Sequence, residues 1–122
     1  MILKKLFVVT LMLLATITIA TAQQRQGMTP EERAKTQTER LEKLLTLSAD
    51  QKAKVHAIEL EIGKEMQAQR QRTQGDRDAM RAAMEAVNKK RDAKYKEVLR
   101  ADQFKKFVED NEQRARERQR IN

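Results

Sequence analysis

Beyond residue 30, large apolar residues recur at intervals of three and four, which is the repeat of one buried face of an α-helix. The clearest positions are Leu41, Leu44, Leu45, Val55, Ile58, Ile62 and Met66. Ala, Glu, Lys, Arg and Gln dominate this part of the chain, and no apolar run alternates as a strand requires. The chain has 122 residues with one proline and three glycines, so we expect one all-α domain with few breaks.

Helix-start signals mark the first two helices. Thr29 and Glu32 form a capping box around Pro30, and proline is favoured at the first position of a helix. The first helix is therefore predicted to run from residue 30 to about residue 46. Ser48 and Gln51 repeat the capping box, so the second helix is predicted to begin directly after Ser48.

The second half of the chain predicts two more helices, which makes about four in all. Gly75 marks a turn, and Asp76 is placed to cap a third helix that reaches about residue 99. Residues 109–122 are almost entirely polar, and we expect them to form a polar helical or disordered tail. A shorter fourth helix is predicted around the apolar residues Phe104, Phe107 and Val108.

Two five-residue segments of the chain agree at four positions. They are Leu47-Ser48-Ala49-Asp50-Gln51 and Leu99-Arg100-Ala101-Asp102-Gln103. A long helical hairpin that turns near Gly75 would bring both segments to the same end, because its arms would be of similar length, roughly 35–40 Å. We therefore predict that the segments cap the second and fourth helices where these meet. The residues given this structural role are Leu47, Ser48, Gln51, Leu99 and Gln103.

Residues 1–22 have the three-part layout of a secretory signal peptide. Lys4 and Lys5 form the charged start, and residues 6–19 form an apolar run too short for a membrane-spanning helix, which needs roughly 20 residues. Small residues at 20 and 22 predict cleavage after Ala22, followed by a flexible leader at residues 23–29. The alternative is a retained N-terminal membrane anchor. Because the chain has no cysteine, we expect neither a lipid-anchored product nor disulfide bonds.

The two matching segments resemble the paired Leu-Thr-x-x-Gln motifs of the Spy/CpxP family of periplasmic proteins. The first copy has Ser48 at the threonine position, and the second has Arg100, which cannot accept a hydrogen bond as a cap. The resemblance covers about residues 30–108. It implies a periplasmic protein that forms an antiparallel, cradle-like homodimer. Family members include an ATP-independent chaperone, an inhibitor of an envelope-stress sensor kinase, and zinc-associated relatives.

The inventory of reactive side chains argues against an enzyme. The chain has one histidine, one serine, one tyrosine and no cysteine, and Ser48 is better explained as a helix cap than as a nucleophile. No nucleophile, base and orienting group can be assembled from that set. We therefore expect no catalytic residue and no cofactor.

Metal and nucleic-acid binding are also weakly indicated. His56 stands alone, whereas a zinc site needs three or four ligands, so it could contribute only at a symmetric dimer interface with a carboxylate such as Glu59. We expect His56 to be solvent-facing or lightly packed, with no metal site. The net charge of +8 would suit a nucleic acid, but export removes that partner and aromatic stacking residues are scarce.

Protein binding is the function that these features favour. Long basic helices that carry methionine and aliphatic stripes can offer an adaptable surface, although every apolar stripe could instead lie in the core or in a dimer interface. The leading hypothesis is a periplasmic, ATP-independent chaperone-like protein that binds unfolded or partly folded proteins. The alternatives are a regulatory partner of an envelope-stress sensor kinase and a zinc-binding metal-stress protein. The candidate client-binding residues are Ile62, Met66, Arg70, Arg72, Met80 and Met84.

Overall fold

The computed structural model describes residues 27–122, which form four α-helices and no strand. The helices are α1 (Pro30–Leu45), α2 (Ala49–Arg72), α3 (Arg77–Val98) and α4 (Ala101–Ile121). The prediction of an all-α fold is confirmed. The predicted signal peptide, its cleavage site and the leader up to residue 26 lie outside the described residues.

Side-chain caps begin the first three helices at the predicted places. The Thr29 hydroxyl accepts a hydrogen bond from the backbone N–H of Glu32 at 3.2 Å, and the Glu32 carboxylate accepts from the Thr29 N–H at 3.0 Å. Ser48 and Gln51 make the same reciprocal pair at 3.1 Å in both directions. The Asp76 carboxylate accepts from the N–H of the residue three further on at 3.0 Å. These bonds satisfy N–H groups that a helix start leaves unpaired.

Helices α2 and α3 form the predicted hairpin. The turn between them includes Gly75, whose φ of +80° is a left-handed conformation that favours glycine. Helix α1 packs along α2, and α4 packs beside α3 and α1. We call the hairpin turn the tip, and the opposite end, where the α1–α2 and α3–α4 connections lie, the junction end.

Helix α4 is longer than the sequence predicts. It continues through the polar residues 109–121, which composition left open between helix and disorder. Arg, Gln and Glu have good helix propensity, and the Gln113 amide donates to the Glu117 carboxylate one turn later at 3.3 Å. All residues from 112 onward are nevertheless exposed, so this distal half of α4 is supported mainly by its own helical bonds.

The buried core lies mostly between the junction end and the middle of the hairpin. Its largest side chains are Tyr95 and Phe107, whose rings meet edge to face with centroids 4.7 Å apart. The fully buried side chain of α2 nearest to the tip is Ile62, and the corresponding one in α3 is Val87. The fully buried core therefore ends well short of the tip. The other core residues are Leu41, Leu45, Leu47, Val55, Ile58 and Leu99.

Candidate functional site

The two predicted cap glutamines meet at the junction end. The Gln51 Nε2 donates to Gln103 Oε1 at 2.8 Å, and the Gln103 Nε2 donates to Gln51 Oε1 at 3.2 Å. Each amide also accepts from the backbone N–H at the start of its own helix, from Ser48 at 3.1 Å and from Arg100 at 3.0 Å. We call this pair of amides the glutamine junction.

The glutamine junction also connects each helix start to the opposite helix end. The Gln103 amide donates to the carbonyl of Leu45, where α1 ends, and the Gln51 amide donates to the carbonyl of Val98, where α3 ends; both distances are 3.2 Å. Each side-chain amide thus makes two bonds as donor and two as acceptor, which satisfies both groups. Gln103 is only 2% exposed, so these bonds replace water that it has lost. The matched segments therefore hold all four helices together at this end.

The two halves of the junction differ in one cap. Ser48 and Arg100 have nearly the same backbone conformation, with φ of −68° and −66° and ψ of 165° and 160°. Ser48 caps α2, whereas Arg100 makes no side-chain cap to α4. The Arg100 guanidinium instead donates to the exposed Asp102 carboxylate at 3.2 Å, a hydrogen bond that lowers the pKa of Asp102.

Arg100→Ser is therefore expected to stabilise the protein, although it removes a positive charge. The new hydroxyl would accept the backbone N–H of Gln103 and raise the free energy of unfolding by about 1 kcal/mol. The lost contact with Asp102 is exposed, and such pairs contribute little. Ser48→Ala, the matched change in the first copy, should lower stability by about the same amount. Urea unfolding followed by circular dichroism measures both, and a loss of stability in Arg100→Ser would contradict the cap assignment.

A cleft opens between the four helices above the glutamine junction, on the side where α4 separates from the hairpin. Its volume is about 830 Å³. The apolar part of its lining comes mainly from Leu41 of α1, Ile62 and Met66 of α2, Met84 of α3 and Phe107 of α4. Both methionines are partly exposed, so their flexible thioethers are available to a ligand.

Six arginines surround this apolar floor, and we call the site the arginine cleft. Arg40 forms an ion pair with Asp110 at 2.7 Å, which connects α1 to α4. The Arg91 guanidinium lies over the ring of Phe107, 5.5 Å from its centroid. The other arginines of the cleft make no salt bridge within residues 27–122. They are Arg33 of α1, Arg70 of α2, and Arg114 and Arg118 of α4.

Lysines are absent from the lining of the cleft, and four of the described lysines form ion pairs elsewhere on the surface. Across the hairpin, Lys94 donates to the Glu61 carboxylate at 2.7 Å, which lowers the pKa of Glu61. Lys90 contacts Glu61 and Glu65 at 3.4 and 2.9 Å, and Lys52 contacts the carboxylate of residue 42 at 2.8 Å. The positive charge of the cleft lining is therefore carried by guanidinium groups, while four of the eleven lysines in residues 27–122 pair with carboxylates elsewhere.

A buried tyrosine connects the cleft to the core. The Tyr95 hydroxyl donates to the carboxylate of Glu59, which lines the cleft. Burial and the facing carboxylate raise the pKa of Tyr95 far above its usual range, so Tyr95 remains a neutral donor. Glu59 keeps its negative charge in this bond, and the lining, with six arginines and three carboxylates, carries an excess of positive charge.

Four of the six candidate client-binding residues lie together in the arginine cleft. They are Ile62, Met66, Arg70 and Met84. Ile62 is only 2% exposed, so it can serve only as part of the floor. Arg72 and Met80 lie outside the cleft, near the tip, where the Thr73 hydroxyl contacts the Met80 sulfur at 3.4 Å. The assignment of all six residues to client binding stays a prediction.

Of the six arginines that line the cleft, only Arg70 was among the candidate residues predicted from the sequence. Arg114 and Arg118 follow Phe107 by seven and eleven residues, which places all three on one helix face. That spacing was visible in the sequence, but the polar composition of residues 109–122 obscured it. Arg33 and Arg40 gave no such signal, because their role depends on how α1 faces α4.

Residues 27–122 contain neither a cluster of metal ligands nor a helix that could span a membrane. No group of three or more His, Asp or Glu side chains in residues 27–122 could hold a metal ion, and His56 is exposed on α2. None of α1 to α4 is long and apolar enough to cross a membrane.

Comparison with known proteins identifies a family but no characterised relative. The model of a family described as a domain of unknown function (DUF4890) matches residues 20–107. The match ends at Phe107, so the distal half of α4 lies beyond it. No curated protein and no solved structure matches the chain. Because the match covers more than half of the 122 residues, the chain belongs to the DUF4890 family.

Proposed function

We propose that this protein is an exported, ATP-independent chaperone-like protein that binds unfolded or partly folded polypeptides of the periplasm. The observation that carries the proposal is the arginine cleft, in which the partly exposed Met66 and Met84 lie beside four arginines that make no salt bridge within residues 27–122. Unfolded chains expose both apolar and charged groups, so a surface that combines apolar and charged side chains can bind them. The resemblance to the Spy/CpxP family supports the same function and, with it, a homodimer.

Methionine makes the floor suitable for varied clients. Met66 and Met84 have three rotatable bonds each and a polarisable sulfur, so they can repack against side chains of different shape. The arginines around them contribute attraction at longer range, which speeds encounter with negatively charged segments. Neither property requires nucleotide hydrolysis.

The proposal predicts that the processed protein suppresses aggregation without nucleotide. Mature protein should delay the aggregation of several unrelated denatured clients at near-stoichiometric ratios, as measured by light scattering. Met66→Gln combined with Met84→Gln should require a several-fold higher ratio for the same protection. Met28→Gln is the control, because Met28 is 49% exposed but does not line the cleft. Failure to protect any client would overturn the proposal.

The regulatory alternative gives a different result in the same system. A partner of an envelope-stress sensor kinase would bind one receptor domain tightly and protect few denatured clients. A pull-down from envelope extract, read beside the aggregation assay, separates the two. Titration with zinc, comparing the protein with its His56→Ala variant, tests the metal-stress alternative, and sedimentation velocity tests the homodimer.

A further inference from the structure

We propose that the arginine cleft binds acidic, amphipathic polypeptide segments. The carboxylates of such a segment would contact the arginines of α4 on one side of the cleft and those of α1 and α2 on the other. This inference rests on the proposed function and narrows it to one class of client. It concerns Arg114 and Arg118 on one side of the cleft and Arg33 and Arg70 on the other.

The four arginines make no salt bridge within residues 27–122, and six arginines line the cleft against three carboxylates. Glu59 accepts from Tyr95, and Glu117 accepts from Gln113 within α4. Asp92 Oδ1 lies 3.7 Å from Arg91 Nε, and neither of these buried atoms has a hydrogen-bond partner within the described residues. These four guanidinium groups are therefore not paired with a carboxylate within residues 27–122, and the lining keeps an excess of positive charge.

Every cation that lines the cleft is an arginine, although the whole chain contains as many lysines as arginines. The guanidinium group is planar and presents paired donors that match the two oxygens of a carboxylate or phosphate. Lysine offers only a compact, strongly hydrated charge. The segregation of the two residue types therefore favours bidentate binding of an anion over a general attraction to negative charge.

The apolar floor decides between a carboxylate and a phosphate ligand. Met66 and Met84 are partly exposed between the arginine walls, so an occupant must cover apolar surface as well as neutralise charge. A polyphosphate chain carries no apolar group. A polypeptide segment with leucines on one face and glutamates on its flanks supplies both, and we therefore assign the cleft to acidic polypeptides.

Binding in the cleft depends on whether the distal half of α4 moves toward the hairpin. Residues 112–122 are exposed, and Arg114 and Arg118 face like charges across the open cleft. Like charges oppose closure until an anion lies between them. An acidic segment should therefore bring this half of α4 closer to the hairpin and slow amide exchange in it.

A set of three peptides tests the client class. Each is a fluorescein-labelled segment of about 14 residues, roughly four helical turns, with the same leucines and with Glu, Gln or Lys on the flanks. Anisotropy should show the Glu peptide binding about tenfold more tightly than the Gln peptide at low salt, with the difference shrinking at high salt. The Lys peptide should bind most weakly. Equal affinity for the Glu and Gln peptides would overturn the inference.

A matched pair of double variants tests the cleft itself. Arg114→Gln with Arg118→Gln should weaken the Glu peptide about fivefold to tenfold, since each exposed ion pair contributes up to about 1 kcal/mol. Arg116→Gln with Arg120→Gln removes the same charge from the opposite face of α4 and should change affinity less than about twofold. Circular dichroism checks that both variants stay helical. An equal loss in both would show that net charge alone attracts the peptide and would overturn the inference.

Two further readouts separate the possible failures. If polyphosphate displaces the Glu peptide and replacing its leucines by serine changes nothing, the occupant is a polyanion and the inference is wrong. If no peptide binds but denatured clients are still protected, clients use another surface, and the proposed function survives without this inference. Loss of both binding and protection overturns the two together. Slower amide exchange in residues 112–121 with the Glu peptide, and not with the Gln peptide, would support closure.

Discussion

Gln103→Ala is expected to lower the free energy of unfolding by about 3 kcal/mol, because it leaves several buried polar groups without partners. The Leu45 carbonyl loses its donor, and the Arg100 N–H loses its acceptor. The Gln51 amide loses both of its bonds to Gln103. Gln113→Ala, on the exposed part of the same helix, should cost less than about 0.5 kcal/mol.

Gln103→Glu tests the same network with little change of volume. The carboxylate can accept from Arg100 but cannot donate to the Leu45 carbonyl or to Gln51, and burial opposes its charge. The pKa of the new carboxyl should therefore be higher in the folded state than in the unfolded state, where it is about 4.3. The electrostatic penalty should be full above the folded-state pKa and should fade as the pH drops toward the unfolded value.

Unfolding by urea at a series of pH values measures both substitutions. Gln103→Glu should recover part of its lost stability under acidic conditions relative to the unmodified protein, whereas Gln103→Ala should show no such recovery. A Gln103→Ala variant as stable as the unmodified protein would contradict the junction as a central element of the fold.

Phe107→Ala is expected to have an even larger effect, about 3–5 kcal/mol. Phe107 is 2% exposed, packs edge to face on Tyr95, and lies under the Arg91 guanidinium. After Phe107, α4 contains no other fully buried residue. Because small domains are stable by only about 5–15 kcal/mol, the variant should lose the docking of α4 or unfold.

Amide exchange distinguishes those two results for Phe107→Ala. Loss of docking would expose the amides of α4 while α2 and α3 stay protected, and global unfolding would expose all four helices. Phe104→Ala is the control, because Phe104 is only partly buried and its ring lies 6.1 Å from that of Phe107. Phe104→Ala should lower the free energy of unfolding clearly less than Phe107→Ala does. Equal losses in the two variants would contradict the assignment of Phe107 as the anchor of α4.

The starts of the first three helices could be predicted closely because they depend on local chemistry. Thr29, Ser48 and Asp76 each accept an N–H three residues later, so sequence spacing alone identifies them. The end of α4 could not be predicted in the same way. Residues 109–121 contain little that is apolar, and their helix depends on weak local bonds and on where Phe107 docks.

The meeting of Gln51 with Gln103 was also predictable, in outline, from two matching segments at similar distances from a turn. The sequence by itself determined the helices, the hairpin and this shared end, because caps, apolar spacing and arm lengths are properties of neighbouring residues. Only the tertiary structure decided which arginines face one another. That outcome depends on how separate helices rotate and pack, and α4 takes its rotation from the contact of Phe107 with Tyr95.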